Sequence, residues 1–262
     1  MHFFDHLSYS NIVVFYSAFG FIFTYGLYFS LRTFFPHFVV QDVDSDFIAG
    51  LHAALFTITF LTLGYSLANV GETADKYQQD VVAEANEIKS LDVLLAFYDT
   101  EEATNLRKVL RQYAQSIVTD EWPLLSTNQG SDATRLIQRK IRANLQHLNP
   151  TTGKELVIYA ELLRTSANIV QARSGRIQNS GARLAPQYMA TSNIGYLGVL
   201  IISALMLTQF TWFRFYALIV QVIAVSFIFA ATIVLDNPFK GSDKITADPI
   251  LSVVDSPIRL SD

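Results

Sequence analysis

The sequence predicts an all-α membrane subunit: four transmembrane helices with a cytoplasmic helical domain inserted between the second and the third. Three observations carry that prediction. The runs 12–31, 47–70, 193–210 and 215–235 are apolar and contain no Asp, Glu, Lys or Arg, and each comes close to or exceeds the roughly 20 residues that a helix needs to cross about 30 Å of hydrocarbon. The segment between the second and third runs is charged and has a three-four apolar spacing instead, which marks amphipathic helices. Of the nineteen Lys and Arg residues, only Arg32 and Arg214 fall in the two short loops on the opposite side. Positive residues stay on the cytoplasmic side of spanning helices, so both termini and the insert are expected in the cytoplasm of a multi-pass inner-membrane protein.

Each element follows in order. Residues 1–70 hold the first pair of spans (12–31 and 47–70), 71–191 the cytoplasmic domain, 192–235 the second pair and 236–262 a cytoplasmic tail. Barrel strands are excluded because they are shorter and alternate in polarity, whereas a bilayer forces long continuous spans to satisfy their backbones internally as helices. The first run has no Lys or Arg ahead of it and no small-residue cleavage site behind it, and therefore reads as a permanent helix rather than a signal. The stripe Val81, Ala85, Ile88, Leu95 follows the second span with no Pro and only Gly71 between them, so one long helix is expected through both. A helix from Ala103 with Leu106, Leu110, Tyr113 and Ile117 inward should be capped by Asp99 with Glu102 and ended by Pro123. Residues 124–131, rich in Ser, Asn, Gln and Gly, mark a turn or a mobile link. Ile137, Ile141, Leu145 and Leu148 make the next stripe, before Pro150. A further helix opens at Thr152, with Glu155 three residues on, and carries Leu156, Tyr159, Leu163 and Val170. Lys76, Arg176, Arg183, Lys240 and Lys244 are the basic residues nearest the expected membrane ends on the cytoplasmic side.

The residues exclude several classes of chemistry. There is no cysteine, hence no disulfide or thiolate metal site, and a net charge of −4 over 262 residues argues against a nucleic-acid partner. His2, His6, His37, His52 and His147 are scattered without metal-binding spacing, and neither a phosphate loop nor a nucleophile elbow is present. No enzyme, cofactor or metal is expected. Glu84, Glu87 and Asp92 along the long helix read as a solvated or subunit-facing surface.

The second span holds the candidate site. Its residues 54–69, ALFTITFLTLGYSLAN, divide into three faces at about 100° per residue. Gly50, Ala54, Thr57, Gly64 and Ala68 form a small-residue face suited to a neighbouring membrane helix. Phe56, Phe60, Leu63 and Leu67 form a bulky face, and His52, Thr59 and Ser66, with Thr62 and Asn69 further round, a polar one. Two readings stand. Either the helix rings an axial path in an oligomer, with the phenylalanines as an apolar constriction that gates by wetting, or the rings fill a helical core and the hydroxyls bond to their own helix. The preceding stretch VQDVDSDF places Asp42, Asp44 and Asp46 at the outer end. Copies around an axis would form a negative mouth that gathers cations, or Asp46 simply caps the helix.

The stretch VLDNPFKGSDKITADPIL after the last span resembles the segment after the final membrane helix of bestrophins, with Asp236, Asn237, Pro238, Phe239 and Gly241 matching and Lys240 inserted. EAN at Glu84–Asn86 and EWP at Glu121–Pro123 resemble the bacterial and plant bestrophin-like membrane proteins over most of the chain from the second span onward. The resemblance implies a four-helix subunit, a pentamer around an axial pore, and a neck on the second helix to which Phe56 and Phe60 are similar. Animal bestrophins are calcium-activated anion channels, and bacterial relatives can prefer cations. A calcium clasp needs several oxygen ligands, whereas this chain has Asp243 amid Lys240 and Lys244, so calcium activation does not carry over. The aspartates outside, and a second helix with no basic residue but His52, likewise weigh against anion selectivity.

The expectation is therefore a homo-oligomeric channel for small monovalent ions, weakly favouring cations and surrounded by membrane lipid. His52, Phe56, Thr59, Phe60 and Leu63 would form the pore and gate, Asp42, Asp44 and Asp46 the outer mouth, and Gly50, Ala54 and Gly64 the helix packing. The turn at Asp236, Asn237, Pro238, Phe239 and Gly241 would brace the last span against the cytoplasmic bundle. The alternative is a non-conducting membrane scaffold or sensor whose cytoplasmic helices bind a partner protein.

Overall fold

The computed structural model describes residues 8–35, 42–181, 183–207, 211–236, 239 and 245–255, without the side chains of residues 42–45, 254 and 255. His2, His6, His37, Asn237, Pro238, Lys240, Gly241, Asp243 and Lys244, singled out above, lie outside it. Among the described residues every regular element is helical.

Helix α1 (Tyr9–Phe34) opens where the Ser8 hydroxyl accepts from the Asn11 amide. Helix α2 (Asp42–Tyr98) runs 57 residues, the single long helix expected from the uninterrupted pattern. It ends where Asp99 turns left-handed, at φ 50. That conformation removes Asp99 from the expected capping box, and Thr100 accepts from the Ala103 amide in its place to begin α3 (Glu101–Ser116). Pro123 does not stop the chain as expected. A π-helical turn (Ile117–Glu121) leads into a 3₁₀ turn (Trp122–Thr127) with Pro123 in its first turn, where a missing N–H costs no hydrogen bond. Asn128, at φ 58, closes that turn. Ser131 then caps α4 (Asp132–Gln146), and Thr152 with Glu155 forms a full capping box for α5 (Gly153–Ser180).

Helix α6 (Pro186–Met206) begins ahead of the expected residue 193, because Pro186 suits a first helical turn. Helix α7 (Trp212–Leu235) starts from a Thr211 cap, and α8 (Asp248–Asp255) follows. Four helices, α1, α2, α6 and α7, are long and apolar enough to cross a membrane.

The chain forms two compact units, one from residues 1–74 and 183–244, the other from 75–182 and 245–262. In the first, α1 packs on α6 and α7, and Leu63, Tyr196, Leu200, Val222, Val225 and Phe229 are buried together. The Tyr16 ring stacks on Phe229 at 5.0 Å, while the Tyr196 hydroxyl donates to the Tyr16 carbonyl at 3.2 Å. In the second unit, Val81, Ala85, Ile88 and Leu95 of α2 are buried with Leu106, Leu110 and Tyr113 of α3, Ile141 and Leu145 of α4, and Ile250 of α8. Helix α5 differs from its expected rotation. Leu156 and Leu163 are 59% and 41% exposed, while Leu162, Ile169, Arg173 and Arg176 are buried. The two arginines set that rotation, through the contacts described below.

Close helix approach in the first unit depends on Gly20. A Cβ there would lie 2.4 Å from the Tyr196 hydroxyl and 2.8 Å from Val222 Cγ1, and the rigid phenol ring cannot yield. Gly20→Ala is therefore expected to destabilise the detergent-solubilised protein by about 1–3 kcal/mol. Gly26→Ala, whose Cβ would meet nothing, should leave the thermal midpoint unchanged or higher.

Candidate functional site

The membrane half of α2 turns one side to the rest of the first unit. Leu63, Ser66 and Val70 are fully or nearly buried, as is Thr59, whose hydroxyl occupies the place of a Cβ on Gly195 of α6. Leu63 and Thr59 were expected to line a pore, yet both are buried inside the first unit. Ser66 donates to the Thr62 carbonyl, as Thr57 and Thr62 do to the carbonyls of Ala53 and Ile58, so these hydroxyls are satisfied within their own helix.

The opposite side carries the small residues. Gly50, Ala54, Thr57, Gly64 and Ala68 are all exposed, and no atom lies within 4 Å of a Cβ built on Gly50 or Gly64. Among the described residues, no other helix of the chain covers them. Phe56 and Phe60 stand at the margin between the two sides, with rings 5.8 Å apart. Phe56 is half-buried against the core, and Phe60 is 43% exposed.

His52 joins three helices. Its Nε2 lies 3.0 Å from Ser203 Oγ of α6 and 3.2 Å from Gln221 Nε2 of α7, and its ring stacks on Phe56 at 6.4 Å. Asp46 is exposed, inside a helix that starts at Asp42; it does not cap α2, and the three aspartates occupy its first turns, where the helix dipole favours negative charge. Asp236 accepts from the Leu184 amide at 2.5 Å and thereby ties the end of α7 to the residues that lead into α6. Phe239 is buried.

The second unit contains a charged centre that sequence reasoning missed. Glu84, expected on a solvated face, is wholly buried. Arg176 Nε donates to Glu84 Oε2 at 2.5 Å and its Nη2 to Glu121 Oε1 at 2.6 Å. Arg173 donates to both Glu121 oxygens through Nε, at 3.2 and 3.1 Å, and through Nη1 to Gln138 Oε1 at 3.2 Å. Gln138 Nε2 donates to the Tyr113 hydroxyl at 3.3 Å, which donates to Glu84 Oε1 at 3.0 Å. These contacts close a ring of six side chains drawn from α2, α3, the π turn, α4 and α5. Two carboxylates face two guanidinium groups, so the ring has no formal net charge, and Trp122 lies 5.7 Å from the Arg176 guanidinium carbon, within cation–π range.

Burial opposes the charge on Glu121, but the hydrogen bonds and charges of Arg173 and Arg176 outweigh it and hold its carboxyl below the usual carboxylate range. Burial, with Glu84 beside it, pushes the Tyr113 phenol well above its ordinary value. Asp92 pairs with Arg107 at 2.8 Å, and Glu87 accepts from Asn168, so the two acidic residues expected beside Glu84 on a solvated face are engaged as well.

A signal for the ring was present: Glu84 falls three residues after Val81 inside the buried stripe, and Arg173 and Arg176 continue the face of Ile169. It escaped notice because charged residues were read as surface. The glutamates of the EAN and EWP segments are the two that share Arg176.

Four apolar helices of spanning length and an all-helical second unit define a multi-pass membrane protein of helical class. The model of the bestrophin-like domain matches residues 19–250, and the chain belongs to the bestrophin-like family. No curated protein and no solved structure matches it.

Removing one partner from a buried ion pair leaves the other charge uncompensated. Arg176→Met is expected to destabilise the second unit by about 3–5 kcal/mol, read as a lower thermal midpoint, and Arg176→Lys should rescue only part of the loss because a compact ammonium lacks the planar fork that presents Nε to Glu84 and Nη2 to Glu121. The depressed Glu121 carboxyl gives stability that is complete above its unfolded value of about 4.3 and is lost as pH falls through the folded value. Glu121→Gln should accordingly flatten the acid limb of unfolding against pH.

Proposed function

We propose that the protein is the subunit of a homo-oligomeric channel that passes small monovalent ions, weakly favouring cations, along an axial path bounded by the membrane half of α2. The observation that carries this reading is the division of α2 into two sides. Its polar residues His52, Thr59 and Ser66 turn into the subunit, while the side that carries Gly50, Ala54, Thr57, Gly64 and Ala68, with Leu61 among them, is left uncovered and is bordered by Phe56 and Phe60. In lipid, a small-residue side gains its energy by close approach of another helix, and copies of this helix around an axis supply that approach.

Phe56 and Phe60 then form the apolar neck, which conducts when it wets. His52, Thr59 and Leu63 stand behind that neck and hold α2 to the rest of the subunit. Asp42, Asp44 and Asp46 in the first turns of α2 draw cations toward the outer mouth. The family's channels support this reading, and five copies is the number that the resemblance suggests. On this reading residues 75–182 form the cytoplasmic domain, inserted between the second and third spans, with both termini on the same side of an inner membrane. Helix α2 supplies residues to both units and links them through one continuous backbone.

A second reading, a non-conducting scaffold that binds a partner through its cytoplasmic helices, is favoured by the outward side of α5, where Leu156, Val157 and Leu163 are exposed. Ion release from liposomes separates the two. The native protein is expected to pass monovalent cations above the level of empty vesicles, and Phe56→Ala and Phe60→Ala are expected to raise that flux severalfold by widening the neck. If native and widened proteins both match empty vesicles, the scaffold reading replaces the channel.

A further inference from the structure

The spans contain one histidine among the described residues, and it stands where α2, α6 and α7 meet. As placed, the Gln221 side-chain N–H donates to His52 Nε2, so that nitrogen carries a lone pair and not a proton. The Ser203 hydroxyl, 3.0 Å from the same atom, then shares that single lone pair, and the ring proton belongs on Nδ1. A ring nitrogen that serves as the acceptor holds the junction only while it is unprotonated.

Protonation would turn this acceptor into a donor. The hydroxyl of Ser203 can reverse and accept, but the amide N–H of Gln221 would then face another N–H, and the contact between α2 and α7 would be lost or its amide forced to turn. Among the described residues, the new charge would also meet no counter-ion. Helix α6 has no charged residue, α7 has Arg214, which donates to the Met206 carbonyl, and α1 has Arg32, which donates to the Tyr28 hydroxyl. Tyr16, Tyr25, Tyr196 and Tyr216 on those helices are neutral phenols across the range in which imidazole titrates. On α2 itself the nearest charged residues are Asp46 and Glu72, both exposed. An unpaired charge inside a span is costly unless water or a partner reaches it.

We propose that His52 is a proton-operated latch: as neutral imidazole it ties α2 to α6 and α7 through Ser203 and Gln221, and on protonation it releases α7 and admits water to the junction. Its effect on flux rests on the reading that α2 bounds an ion path. The junction's own response does not, and it is measured separately.

Ring nitrogen-15 spectra of histidine-labelled protein in bilayers, with His52→Gln to identify the signal, should show His52 protonated on Nδ1 alone at neutral pH and on both nitrogens after acidification. The Gln221 side-chain amide should shift with it. The thermal midpoint of the native protein should fall with acidification below about pH 6.5 by several degrees more than that of His52→Gln, which keeps a neutral acceptor. Flux of the native protein should rise severalfold over the same interval while that of His52→Gln stays flat, and Gln221→Leu should leak at neutral pH with no further response. A proton on Nε2 at neutral pH, or the same pH dependence of stability in native protein and His52→Gln, overturns the latch. Spectra and stability that respond while no vesicle conducts at any pH support the latch and sink the channel reading instead.

Discussion

Two carboxylates that share one guanidinium organise the second unit. Arg176 lies between Glu84 of α2 and Glu121 of the π turn, and all three side chains are out of water. Desolvating charges costs several kcal/mol per ion unless each finds good partners, so the geometry around this guanidinium constrains everything near it. It determines which side of α5 faces inward, and it holds the π turn where Arg173 can reach the second glutamate. Gln138 and Tyr113 complete the set with neutral groups, which explains why a tyrosine and a glutamine occupy positions that apolar residues could have filled. A hydrophobic centre of equal volume would tolerate sliding of one helix along another; a closed hydrogen-bonded ring specifies a single register.

The membrane half follows a different economy. Lipid chains are as apolar as leucine, so burying leucines there gains little, and close packing and hydrogen bonds take over. Gly20 and Gly195 are the evidence of this, each with another helix's side chain in the space a methyl group would fill. The hydroxyls of α2 mostly return to their own backbone, and the one imidazole among the described spans finds partners on two other helices. Polarity is thus kept within the first unit, and the side with no polar demand is the side left open.

Much of this was legible in the sequence. Four apolar runs, the unbroken pattern from the second span into Val81–Leu95, and the Thr152 and Glu155 pair at the start of α5 all have their counterparts in the structure. These features are local: they depend on spacing within a single helix. What escaped notice required knowledge of a partner distant in sequence. Asp99 could not be seen to turn left-handed, since that depends on how α2 ends; nor could Pro123 be recognised as helical, because the chain passes through π and 3₁₀ turns before reaching it. Helix α5 was assigned the wrong inward side for the same reason, as leucines at 156 and 163 outweigh two arginines unless the glutamates they meet are known. On α2, rotation around the axis was legible but not which side would meet α6 and α7, and so Thr59 and Leu63 were assigned to the pore.

The position of α8 has a consequence for biosynthesis. Ile250 is fully buried in the core of the second unit, with Ile245 and Val253 packed around it, yet α6 and α7 precede it in the chain. A ribosome making this protein releases the bulk of that unit first, then two helices bound for the bilayer, and only afterwards the segment that seals the core. The unit therefore waits with an open apolar seam until α6 and α7 have been made, and its closure reports that those two segments have already been delivered.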